Sequence, residues 1–253
     1  MSTLTPLATL LLLHSASAQP LLASGGEVGV VCPAPEDGLA VFVPHPRDCG
    51  LYYECAGTSP VLMECPPGLY WDQRETVCNW PEASGCSMDF VKVFGHDTAG
   101  GLFSSQEEAL SSNPATPSAA LYSALDTLES YRGREGGFRL RLCYPELRGE
   151  AGGQCNEWVQ TSNPASEVAV TGFQATSLAF PSNSYDEAWA GLGVSPSSAA
   201  RTFMDDAPER GWWWCAVGAR SYYPVNQNVT TIPGPKGHPV TKVELYVFGK
   251  VQS

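Results

Sequence analysis

Six cysteines lie between residues 32 and 86: Cys32, Cys49, Cys55, Cys65, Cys78 and Cys86, with 16, 5, 9, 12 and 7 residues between successive members. Cysteines at this density either oxidise to disulfides or hold a metal as thiolates. The gaps lack the tight C-x2–4-C pairs of zinc modules. A block this small cannot stand on a hydrophobic core alone. Three disulfides are therefore expected and no metal, with fifteen pairings open on spacing alone. The residues between the cysteines are rich in flat rings, Tyr52, Tyr53, Tyr70, Trp71 and Trp80. Such rings either pack a small core or present a rigid apolar face.

The elements that would carry these rings are short strands. Tyr52 and Tyr53 are adjacent, as are Tyr70 and Trp71. Side chains alternate faces along a strand, so one of each pair can reach a ligand while the other fills the core. Trp80 follows Cys78 by two residues and precedes Pro81, where a strand ends and the indole is expected at the surface.

The stretches FVPHPRDCGLYYEC, ECPPGLYWD and VCNWP resemble the peritrophin-A chitin-binding domain (carbohydrate-binding module family 14). The resemblance covers residues 32–86, about a fifth of the chain. It implies the pairs Cys32–Cys55, Cys49–Cys86 and Cys65–Cys78. It also implies a ligand, chitin or another N-acetylglucosamine-containing polysaccharide, met by Trp80 of the Cys-x-Trp motif and Leu69 of the Gly-Leu motif. Tyr53, Tyr52 and Trp71 complete the expected contact set. A sugar ring has an apolar C–H face that a flat side chain covers while its edge stays wet, and a disulfide-held platform lowers the ordering cost of binding. Many members carry Asn-Gly in the turn after Tyr-Tyr-x-Cys. Here the turn is Ala56-Gly57-Thr58-Ser59-Pro60, which removes any sugar contact from that Asn.

The chain opens with LATLLLL at 7–13 and a small-x-small site, Ala16-Ser17-Ala18. This is read as a secretory signal at 1–18, without a basic n-region. The apolar run is too short to span a bilayer, and no later stretch approaches the roughly 18 apolar residues needed. The expectation is a secreted, extracellular protein with no membrane insertion and a flexible lead at 19–31. Gly 25 and Pro 21 favour short strands and turns. A net charge of −12 without basic clusters argues against nucleic acid.

Residues 88–253 form the second expected domain, mainly β, read as a sandwich with one helical insertion. The helix is expected at 118–131, where Leu121, Leu125 and Leu128 recur and Ser118 precedes Ala119-Ala120. FRLRLCY (138–144), EVAVTGFQA (167–175) and TKVELYVFG (241–249) alternate as half-buried strands. Cys143 and Cys155 flank a Gly-rich turn suited to a local disulfide, which leaves Cys215 over, read as a buried free thiol with an intermolecular link as the alternative. Asn228 heads the one N-glycosylation sequon. Trp212-Trp213-Trp214, Trp158 and Trp189 are core residues or a second sugar platform. Asp205-Asp206 with Asp186-Glu187 are solvated loop acids or oxygen ligands for calcium. CYPEL, CNEWVQTSNP and WAGLG are similar to an uncharacterised module in secreted proteins of aquatic invertebrates.

The reading is a binder, not an enzyme, and needs no cofactor. About 165 residues after the Cys block are too few for a (β/α)8 barrel, and no DxxDxDxE motif or Gly-x-Ser-x-Gly elbow is present. The expected partners are chitin for residues 32–86 and a microbial glycan or a protein for 88–253, as in a defence lectin. The alternatives are a structural component of a chitinous matrix and a chitin-active hydrolase.

Overall fold

The computed structural model describes residues 30–34, 40–182, 188–195, 202–206, 217–219, 231–235 and 238–251. The signal segment, most of the lead, Asp186-Glu187, Trp212-Trp213-Trp214, Cys215 and Asn228 lie outside them. Two compact units divide the chain. The first holds Val31–His45 and Gly50–Gly85; the second holds Pro46–Cys49 and Cys86–Ser253.

In the first unit, β1 (Val41–Pro44), β2 (Leu51–Ala56) and β3 (Ser59–Glu64) form an antiparallel sheet with β2 in the middle. A hairpin of β4 (Tyr70–Asp72) and β5 (Val77–Asn79) leads into the one-turn helix α1 (Pro81–Ser84). The core is a small ring cluster. Tyr52 stacks on Trp71 with centroids 3.9 Å apart, and Phe42 packs against both. Cys32–Cys55 and Cys65–Cys78 staple this unit; Cys49–Cys86 lies within the second. These pairs coincide with those the family resemblance implies.

The second unit is built on one seven-stranded antiparallel sheet. Its strands are β6 (Met88–Asp97), β7 (Ser111–Ser112), β8 (Leu121–Ala124), β9 (Phe138–Cys143), β10 (Cys155–Gln160), β11 (Gln174–Leu178) and, last in the chain, β16 (Lys242–Lys250). The spatial order is β11-β10-β9-β16-β6-β8-β7, so the C-terminal strand sits in the middle. β16 shows why it forms: Val243, Leu245 and Val247 are fully buried while Lys242, Glu244, Tyr246 and Phe248 look outward. Outward side chains pair across strands, Lys92 with Glu244 and Lys242 with Asp97. Helix α2 (Gln106–Leu110) and the ribbons β12–β13 (Leu192–Val194, Met204–Asp206) and β14–β15 (Ile232–Pro233, Pro239–Val240) complete the unit. A second large sheet, as in a sandwich, is not seen among the described residues.

Several expectations are corrected here. No helix spans 118–131: residues Leu121–Ala124 are strand β8, paired with β6 and β7, and Leu125–Tyr131 is a 3-10 helix. Its buried residues Leu125, Leu128 and Tyr131 recur every three positions, which is the 3-10 period. A second helix stands where none was expected, α2, capped by the Ser105 side chain accepting from the Glu108 N–H. In 167–175 only the tail is a strand, as the start of β11. Asp205 and Asp206 are not loop acids; they are buried on β13, and Asp206 accepts the Ala190 N–H. Trp158 and Trp189 are core residues, packed edge to face at 5.0 Å. Cys143 and Cys155 face each other in register and are disulfide-bonded.

Candidate functional site

Trp80 is the most exposed aromatic side chain among the described residues, with 66% of its surface open. An indole in water is costly, so its backbone setting matters. Its N–H donates to the Asn79 side chain at 2.9 Å. Its carbonyl accepts the N–H groups of Ala83 and Ser84, both at 2.9 Å, which starts α1. Pro81 holds the first helical position, where a missing N–H costs nothing. Gly85 ends the turn at φ 69°, a conformation that favours glycine. Two residues upstream, Cys78 is bonded to Cys65. The ring therefore projects from a corner fixed on both sides.

The hairpin beneath is pinned by Asp72, whose side chain is 1% exposed. Its carboxylate accepts the N–H groups of Arg74 and Glu75 and the Asn79 amide, with the Arg74 guanidinium 3.5 Å away. Burial pushes this carboxyl upward, but those donors more than offset it and leave it below the ordinary aspartate value. Gln73 links the two halves of the core: it accepts from the Trp71 indole N–H and donates to the Phe42 carbonyl. Asp72, Gln73 and Asn79 were not among the expected site residues. The signal for Asn79 was its place just before a Trp-Pro helix start, where Asn side chains satisfy orphan N–H groups.

The expected contact set splits. Trp80 is exposed, and Leu69 is partly buried against the ring cluster. Tyr52 and Tyr53 are each 7% exposed and Trp71 is 4%. Their faces are taken, Tyr52 and Trp71 by each other and Tyr53 by His45 at 5.7 Å. The expectation that one of Tyr52 and Tyr53 faces out is thus corrected; β2 is the middle strand, and both of its faces are covered at these positions. All six cysteines of this block are disulfide-bonded, so they offer no thiolate to a metal. Among the described residues no group of three or more His, Cys, Asp or Glu side chains is placed to hold a metal ion, and no helix is long and apolar enough to cross a membrane.

Residues 32–86 match the family model described as the Chitin binding Peritrophin-A domain. The chain is 35% identical to Peritrophin-1 of Anopheles gambiae over 75 residues, which is 29% of this chain and 49% of that protein. It is 32% identical to "Probable chitinase 10" of Drosophila melanogaster over 75 residues, 30% of this chain and 3% of that protein. The chain thus spans about half the length of the first relative and a small fraction of the second. No solved structure matches it. Three disulfides, a stacked Tyr–Trp core and a corner-mounted Trp thus lie within residues 32–86, the stretch that matches the peritrophin-A domain family.

Proposed function

We propose that this is a secreted chitin-binding protein in which residues 32–86 dock on N-acetylglucosamine polymer through the Trp80 indole, with Leu69 contributing apolar surface. The observation that carries this reading is the exposure of Trp80 on a corner held by Asn79, Pro81 and the Cys65–Cys78 bond. The geometry suits a flat, uncharged sugar face: the ring needs no ordering before contact, so little of the gain is lost to entropy. Residues 88–253 carry a second recognition function in this reading, for a microbial glycan or a protein, as in a defence lectin. The likeness to Peritrophin-1 favours a second reading, a component of a chitinous matrix. The likeness to the chitinase is confined to the binding module and lends no support to catalysis.

The test is retention of the full chain on insoluble chitin, wild type against Trp80→Ala. Covering an aromatic face is worth about 1.5–3 kcal/mol, so the variant is expected to bind at least roughly tenfold more weakly. Near-ultraviolet circular dichroism and non-reducing mass analysis check that it is folded and disulfide-bonded. A folded variant that binds as well as wild type sinks the Trp80 assignment. Release of soluble sugar from chitin would overturn the reading as a binder.

A further inference from the structure

Of the four histidines in the chain, His96 stands in the core. It is 1% exposed on β6, and its ring meets Phe103 edge to face at 5.2 Å. Nε2 lies 2.9 Å from the Gly101 carbonyl oxygen. A carbonyl only accepts, so Nε2 carries the proton and the neutral ring leaves Nδ1 bare. Nδ1 is buried and has no hydrogen-bond partner. The His96–Gly101 bond closes the reversal of the chain out of β6. There Asp97 caps the 3-10 turn Thr98–Gly100, and the chain then delivers Phe103, which is 1% exposed and stacked on Phe94.

The surroundings of the ring are apolar. In register with His96 are Val243 of β16 and Leu121 of β8. Lys242 and Glu244 flank Val243 but project to the opposite face, where they pair with Asp97 and Lys92. The returning segment brings Thr98, Gly101 and Phe103, none of them titratable. Asp97 is the charge that acts on the ring and favours its protonation, but its carboxylate is already engaged by the Ala99 N–H and Lys242. Burial outweighs it and the Gly101 contact, and holds the ring below the ordinary histidine value.

We propose that His96 is an acid-sensitive latch on residues 98–103: neutral, it ties Gly101 to β6; protonated, it places a second N–H in the core with no acceptor, and the segment releases. A group depressed in the folded state favours that state above its unfolded value, about 6.5 for histidine. The advantage is lost as pH falls below 6.5 toward the folded value, reaching up to about tenfold in the opening equilibrium one unit down.

Amide hydrogen exchange on the full chain at pH 7.5 and 5.5, corrected for intrinsic rates, tests this. Protection at Gly101 and Phe103 is expected to fall several-fold in wild type and in His45→Gln, and to stay constant in His96→Gln. Gln can still donate to the Gly101 carbonyl and does not titrate. Equal wild-type protection at both pH values overturns the proposal, as does a loss that vanishes with His45→Gln. Should His96→Gln fail to fold, the wild-type ring titration by NMR decides. A midpoint well below about 6.5 supports the latch, and one at or above it overturns the latch.

Discussion

Residue types in the first unit divide between holding and presenting. Asp72 holds, and its hydrogen bonds make a pH prediction. Its carboxyl lies below the ordinary value because the Arg74 and Glu75 N–H groups, the Asn79 amide and Arg74 favour the charged form more than burial disfavours it. A depressed aspartate stabilises the fold above its unfolded value of about 3.9, and the contribution is lost as pH falls through the folded value. Wild type is therefore expected to lose melting temperature between pH 5 and 2.5. Asp72→Asn is expected to start lower at pH 5 and fall less across that interval. Parallel curves for the two proteins would show that the Asp72 charge contributes nothing to the fold.

At the scale of elements, close backbone approaches decide what the loops tolerate. Gly149 opens the hairpin between β9 and β10, and its N–H donates to the Gly153 carbonyl. A Cβ at this position would sit 2.0 Å from the Ala179 carbonyl oxygen, just beyond β11. That oxygen also accepts the Glu150 N–H, so it cannot move aside without breaking a bond. Gly149→Ala is expected to destabilise the second unit by about 1–3 kcal/mol or more, read as a lower denaturant midpoint with unchanged slope. Ordinary stability in that variant would mean that the loop repacks freely. The same scale explains the missed helix: Leu121–Ala124 gains two strand partners, β6 and β7, which a lone helical turn cannot match.

For the whole molecule, charge and recognition are separable. The chain carries −12, and the proposed ligand is neutral, so Coulomb attraction has little part in docking. Retention on chitin is expected to change less than about twofold between 0.05 and 0.5 M salt, an interval over which surface electrostatics are strongly screened. A collapse of binding over that range would point to a charged ligand and away from Trp80.

By itself the sequence determined the features whose causes are local. Six cysteines with their Pro and Gly neighbours marked the first domain, the Trp80-Pro81 step placed an indole at a strand end, and the alternation in FRLRLC and KVELYVFG marked β9 and β16. Tertiary structure decided whatever depends on a partner far along the chain. Lys92 meets Glu244 across 152 residues, and β16 is central because it pairs with β6 on one side and β9 on the other. Tyr52, Tyr53 and Trp71 became core because rings and strands from elsewhere cover their faces. Residues 121–131 kept their leucine spacing but took strand and 3-10 geometry, since the sheet offered backbone partners. His96 reads as an ordinary histidine until β16, β8 and Phe103 close over it. Periodicity reports what one segment prefers in isolation, whereas burial and pairing are set by the segments that arrive to cover it.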